Sequence, residues 1–326
     1  MAVPSSTYEW DTYYTSTWYN IVGKQPVDNI FDTNALLVLM TKKGKVKRQS
    51  GGTEVHINLE YDENETVTSI GRGGEVSLDD TDPLTKAIYN WKYVVGNVTR
   101  YYTDEQENKG KAQILDMAAT KMGNLKRSMN KYLNDALFGD GSGNGYLDPL
   151  GLDVIIPEDP TASSTTCGGI DQSVETWWRS QYYDAGGRAV ETYLLTDMRD
   201  MMDNCIRNDE APDIIVTDQT SLHYYEDETN EKYVIVNKIL GDAGFQHLQY
   251  KGLPMVWDRE CKARSMYFVN TDYLYIVSNM DSEAKLTPWK EIPNRLDRVA
   301  QAVSGLNIVT SQRRVQGVLF DIGEAS

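Results

Sequence analysis

Between residues 103 and 138 the apolar positions Ile114, Ala118, Met122, Leu125, Met129, Leu133 and Leu137 recur at steps of three and four. That period places them on one face of an α-helix. Lys111, Asp116, Lys121, Asn124, Lys126, Arg127 and Asn130 fall on the opposite face, toward water. Asp104 can cap the first turn and Glu107 follows three residues later, the spacing of a capping box. The glycine-dense run 139–143 ends the pattern. A helix over 103–138 would be roughly 50 Å long, well beyond the usual three or four turns. Gly110 and Gly123 each cost it about 1 kcal/mol and mark where a fray or bend would fall.

Ahead of this helix, Val55, Ile57, Leu59 and Tyr61 alternate with His56, Asn58 and Glu60, the pattern of a half-buried strand. A polar stretch, the turn Gly71-Arg72-Gly73-Gly74 and an acidic run at 79–82 follow. Strand-like residues then return at Ala87-Ile88-Tyr89 and over 93–98. Two strand arms joined by a long polar tip predict a protruding hairpin, with too little apolar surface at the tip to fold onto its own domain. Residues 1–50 read as an extended arm with short apolar anchors at Ile30-Phe31 and 36–40. Lys42, Lys43, Lys45, Lys47 and Arg48 form a basic cluster, either a solvated strand edge or a contact with an acidic neighbour, whether another subunit or nucleic acid.

Beyond the helix, helical patterns over 173–183 and 197–207 alternate with strand patterns at 214–217, 245–250, 254–257, 266–269 and 273–277. Asp218 is placed to cap a helix carrying Leu222 and Tyr225. This is a compact mixed α/β lobe. At the end of the chain, strands over 296–303 and 306–309, a turn at 311–314 and a return over 315–322 predict a terminal antiparallel pair beside the long helix. The fold class is α+β.

Composition narrows the function. Acidic residues outnumber basic ones by 48 to 32, a net charge of −16, which repels phosphate and argues against general electrostatic binding of nucleic acid. No stretch has the length and apolarity of a membrane span, and the N-terminus shows neither the basic nor the apolar region of a secretory signal. Cys167, Cys205 and Cys261 are odd in number and widely spaced, as expected of reduced thiols in a protein made in a cytosol. Tyrosine (21) far exceeds phenylalanine (5), which suits half-buried sheet faces and subunit contacts.

Candidate chemistry is thin. His56, His223 and His247 have no metal-ligand spacing. Gly141-Ser142-Gly143 approaches a nucleophile elbow, but Asp140 and Asn144 stand where the outer glycines belong. The run from Asp140 to Asp148 looks like half a calcium loop, yet Pro149 intrudes and Gly151 replaces the bidentate glutamate, so a helix-terminating glycine turn explains it better. Gly71-Arg72-Gly73-Gly74 does not lie between a strand and a helix and makes a poor phosphate loop. No catalytic, cofactor-binding or metal-binding residue is assigned.

The order of parts resembles the major capsid protein of tailed bacteriophages, the Hong Kong 97-type capsid fold, over nearly the whole chain. Local runs are similar as well: 147–152 after the helix, 212–218, and above all 250–258 followed by 266–274. The resemblance implies an N-terminal arm (1–50), an extended β-hairpin loop (51–102), a spine helix (103–145), an α/β axial domain (146–284) and C-terminal strands of a peripheral domain (285–326). It implies a non-enzymatic structural protein that assembles as hexamers and pentamers into an icosahedral shell around double-stranded DNA. DNA would be enclosed without sequence-specific binding. A portal, and a separate scaffolding or cement protein, would be its partners, with no membrane involved. Its place would be the virion capsid, after synthesis in a bacterial cytoplasm. Inter-subunit contacts would fall on Ile70, Arg72, Val76 and Leu78 of the loop and on Tyr14, Trp18, Ile30 and Phe31 of the arm.

Two departures from the family matter. Members that crosslink themselves use a lysine near the loop tip, whereas this chain has none over 51–85, and Lys86 lies at the base, so the expected shell is non-covalent. The arm is also too short to include a scaffolding domain of roughly a hundred residues. The rival readings are an encapsulin-like nanocompartment shell, which shares the fold, and a soluble acidic hydrolase, which would need a deep pocket with converging polar groups.

Overall fold

The computed structural model describes residues 35–64, 66–75, 82–103, 117–162, 166–229, 248–280 and 285–323. In chain order its elements are α1 (Ala35–Lys42), β1 (Val46–Gln49), β2 (Glu54–Glu60), β3 (Leu84–Asn90), β4 (Lys92–Arg100), α2 (Met117–Leu137) and the short α3 (Leu152–Ile155). Then come β5 (Thr166–Cys167), β6 (Ile170–Asp171), β7 (Gln181–Asp184), α4 (Val190–Cys205), β8 (Ile214–Thr217), α5 (Gln219–Thr229), β9 (Leu248–Tyr250) and β10 (Leu253–Trp257). The last are β11 (Met266–Val269), β12 (Leu274–Asn279), β13 (Lys285–Leu286), β14 (Lys290–Glu291), β15 (Arg298–Thr310) and β16 (Gly317–Phe320). They form two compact units, one from Thr33–Tyr93, Leu133–Glu283 and Gly305–Ser326, the other from Met1–Asp32, Val94–Tyr132 and Ala284–Ser304.

The first unit is built on a mixed sheet of strand order β7-β16-β11-β8-β10-β9. Strands β8 and β11 are buried at every position, as apolar runs covered on both faces should be. On one face Ile215, Met255, Met266, Phe268 and Leu319 pack with Met198, Met201, Met202 and Cys205 of α4 and with Leu222 and Tyr225 of α5. On the other, Ile214, Val216, Val256, Tyr267, Val269 and Val318 join a core shared with α1 and with Leu137 and Phe138 at the end of α2. Asp218 accepts the Thr220 amide at 3.2 Å and opens α5, as expected. Gly151 lets the chain after α2 lie against that helix's end, since a Cβ there would sit 2.2 Å from the Gly139 carbonyl.

Several expectations need correction. Residues 36–40 are not an anchor of an extended arm: they belong to α1, whose Leu36, Leu39 and Met40 are fully buried in the core. A helix so apolar has no water-facing stripe and seeks the interior. The helix expected over 173–183 is a single 3-10 turn, Thr176–Trp178, followed by strand β7. Asp171 starts that turn by accepting both the amide and hydroxyl of Ser173, at 2.8 and 2.7 Å. The helix expected over 197–207 begins seven residues earlier, at Val190. The strands expected at 296–303 and 306–309 are one continuous strand, β15. No terminal antiparallel pair forms: β16 pairs with β7 and β11 in the large sheet, while β15 pairs with β12 through Leu274↔Thr310 to Ser278↔Leu306.

In the second unit β4, β13 and β14 pair with β15. Helix α2 packs on β4 at Gly96, where an added Cβ would meet Leu125 Cδ1 at 2.4 Å. Lys121 donates to the Thr99 carbonyl at 3.2 Å, and the Arg100 guanidinium lies 5.0 Å from the Trp289 ring. From Thr120 to Tyr132 the helix has no fully buried side chain. The part of the long helix expected over 104–116, with Asp104, Glu107 and Gly110, lies outside the described residues.

Candidate assembly interface

Strands β2 and β3 pair from Glu54↔Asn90 to Glu60↔Leu84, and the Tyr61 amide extends the ladder to the Pro83 carbonyl at 2.9 Å. Alternation puts Val55, Leu59, Ala87 and Tyr89 in the core. The base is fastened by polar contacts too. Tyr89 Oη donates to the Thr310 carbonyl at 3.1 Å, the Ile88 amide to Gly168 at 2.9 Å, and the Tyr61 ring lies 5.4 Å from that of Trp177. Burial pushes the Tyr89 phenol well above its ordinary pKa, so it stays a hydrogen-bond donor.

Arg313 supports this base from inside. It is fully buried, donates Nε to the Ile155 carbonyl (2.8 Å) and Nη2 to Val154 (3.0 Å), and lies 5.7 Å from the Trp178 ring. It thereby caps the C-terminus of α3, where a cation is favoured. Burial alone lowers its pKa, and the guanidinium stays charged.

The tip differs from the base. Val67 is 83%, Leu84 66% and Ile70 53% exposed. Its hydrogen bonds are local: the Thr66 amide to Asn64 Oδ1 at 2.9 Å, and the Gly74 amide to the Gly71 carbonyl at 3.0 Å. Of the residues expected to make inter-subunit contacts, Ile70 and Arg72 are both exposed on this tip. Val76, Leu78, Tyr14, Trp18, Ile30 and Phe31 lie outside the described residues. Val67 and Leu84 were missed because each stands beside polar neighbours, and only their exposure marks them.

The basic cluster meets acidic groups of its own chain. Lys43 pairs with Asp213, which also accepts the Thr271 amide at 3.0 Å, and Lys45 pairs with Asp272 at 2.6 Å. The hydrogen bond from Lys45 holds the Asp272 carboxyl below its ordinary pKa. Lys47 lies 3.4 Å above the Tyr275 ring. Strand β1 pairs with β12 in parallel, Val46↔Ile276 to Gln49↔Asn279, so these residues form a strand edge pinned by ions.

At the Ser142 motif the hydroxyl donates to both Asp140 carboxylate oxygens, at 2.7 and 2.8 Å. Together with the Ser142 amide it keeps the Asp140 pKa low. That is the geometry of a turn, with the serine proton turned toward a carboxylate and away from any base. His56 and His223 are exposed, and His247 lies outside the described residues. Among the described residues no three His, Cys, Asp or Glu side chains cluster as a metal site would need.

Architecture and surface together define a class, the α+β fold of tailed-phage major capsid proteins, and the chain has that fold. The capsid asymmetric unit of cyanophage A-1(L) matches with a TM-score of 0.66 at 19% identity, over 93% of this chain and 97% of that one. The capsid of the native GTA particle matches with a TM-score of 0.63 at 11% identity, over 99% and 100%. The holo-SrpI encapsulin complex from Synechococcus elongatus PCC 7942 matches with a TM-score of 0.60 at 9% identity, over 99% and 97%. No family model and no curated protein matches the chain.

Proposed function

We propose that the chain is the major subunit of a tailed-bacteriophage head, assembling through hexamers and pentamers into an icosahedral shell around double-stranded DNA. The observation that carries this is a hairpin whose base is buried in its own core while its tip leaves Val67, Ile70 and Leu84 bare. Such a tip is stabilised when another copy covers it. End-to-end likeness to capsid subunits supports the same reading. In it, β2 and β3 with their connection are the extended loop, α2 is the spine, and the sheet from β7 to β9 is the axial domain. The arm would reach adjacent subunits through Tyr14, Trp18, Ile30 and Phe31. Many moderate contacts then sum over a closed lattice.

The shell is held without covalent crosslinks, since no lysine occurs over 51–85. Boiled particles should run as one monomer band, and a ladder on an SDS gel would refute this. A net charge of −16 keeps packaged DNA from adhering to the wall. Free capsomers should therefore fail to retain DNA at low salt. Portal, scaffolding and cement proteins are its expected partners, and the bacterial cytoplasm its place of synthesis.

The encapsulin neighbour favours a second reading, a nanocompartment shell. The contents of purified particles distinguish the two: DNA supports the phage head, and enzyme cargo supports the compartment.

A further inference from the structure

After the long helix, three successive residues adopt left-handed backbone: Asn144 (φ 51°), Gly145 (φ 72°) and Tyr146 (φ 64°). L-residues visit this region singly, and a run of it is rare. Two amide bonds close the turn, Tyr146 to the Ser142 carbonyl at 3.1 Å and Leu147 to Gly143 at 3.2 Å. It is braced from several sides. Asn144 donates to Asp148 at 2.6 Å, the Lys92 ammonium donates to the Tyr146 carbonyl, and Gly143 leaves room for the Asp148 carboxylate where a Cβ would be 2.0 Å away. Buried Asn307 accepts the Leu150 amide at 3.0 Å and donates to the Asn90 carbonyl at 2.8 Å, tying the start of β4 to the same region. What this braced turn displays is apolar: Tyr146 is 74%, Leu147 67% and Tyr93 57% exposed.

Backbone strain held in place by surrounding bonds points to a function for the side chains it presents. We propose that Tyr146, Leu147 and Tyr93 form a contact surface for a second copy of this chain, apart from the hairpin tip. The proposal rests on the shell reading and adds a second surface to it.

Charge selects the occupant. Copies with a net charge of −16 repel one another and approach closely where local charge is already spent. Residues 141–147 contain no charged side chain. Around them, Asp140 accepts from Ser142, Asp148 from Asn144, and Lys92 is engaged by the Tyr146 carbonyl. Nucleic acid would need free cations facing it, and this patch offers rigid aromatic anchors instead.

The test uses the full-length chain, wild type beside the double variant Tyr146→Ser/Leu147→Ser and the single variant Tyr146→Gly. Sedimentation velocity reads association and thermal melting of unassembled chains reads folding. The wild type should associate, and the double variant should need at least tenfold more protein to do so with an unchanged melt. Tyr146→Gly should melt higher, its strain relieved, yet associate less well. Association of both variants at the wild-type threshold would overturn the proposal. So would a lower melt for Tyr146→Gly, which would make the turn a purely structural device. If the wild type forms only small oligomers that the double variant abolishes, this contact stands and the shell reading fails.

Discussion

Replacing Val67, Ile70 and Leu84 together by serine tests the hairpin tip directly. Full burial of such a side chain contributes about 1.5–3 kcal/mol. Weighted by exposed fractions of 83, 53 and 66%, covering all three in a neighbour's surface would yield roughly 4 kcal/mol. Ordering the side chains takes back about 0.5–1 kcal/mol each, which leaves ~2 kcal/mol per contact. At about 1.4 kcal/mol per decade, the triple variant should raise the protein concentration needed for assembly by roughly 30-fold. The unassembled chain loses nothing comparable, because exposed substitutions lie within about 0.5 kcal/mol of neutral. Light scattering against concentration gives the first quantity and urea unfolding of unassembled chains the second. An unchanged assembly threshold would refute the reasoning. A loss above about 2 kcal/mol in urea would also refute it, since the tip would then be packed on its own body.

Three further outcomes follow from the buried and ionic groups. Arg313→Ala should destabilise by about 3–5 kcal/mol, orphaning the Val154 and Ile155 carbonyls and opening a cavity, whereas Arg313→Met, which keeps the stem packing, should lose only about half as much. Equal urea midpoints for the two variants would contradict that account. The Asp272 pKa is depressed in the folded chain, so its contribution is present above the unfolded value near ~3.9 and is lost as pH falls through the lower folded value. Asp272→Asn should therefore be less stable than wild type at neutral pH and should converge with it in acid; a gap that persists at about pH 3 or below would be inconsistent. Cys167, Cys205 and Cys261 are all buried, and burial raises the Cys205 and Cys261 thiols, so the native chain should resist a thiol reagent that titrates three groups after unfolding. Rapid labelling in the native state would contradict it.

Elements with an unambiguous period were readable in advance. Strand β2 alternates cleanly, β8 and β11 are continuous apolar runs of strand length, and α2 follows its three-and-four spacing where it is described. The failures share a cause, which is that tertiary contacts decided where local pattern could not. The run Leu36-Leu37-Val38-Leu39-Met40 is apolar on every side, and so short a run has no period to separate helix from strand or anchor. Residues 173–183 contain Trp177 and Trp178 at a spacing compatible with a helix, but Asp171 forces a turn and β16 recruits 181–184 as a parallel strand. The terminal strands look like a hairpin because only four residues join 306–310 to 315–320, yet they enter different sheets. At the interface, Ile70 and Arg72 were legible as tip residues. The partners of the basic cluster were not, because Asp213 and Asp272 lie 170 and 227 residues away in sequence. Tyr146 carried no signal either, since its left-handed backbone is a property of the braced turn.

The central claim is that the hairpin tip is completed by another copy of the chain. Electron cryomicroscopy of the purified full-length protein tests it most directly. Closed shells in which density from a neighbouring subunit covers Val67, Ile70 and Leu84 are the predicted result. Isolated monomers, with that tip folded back onto the molecule's own surface, would contradict it.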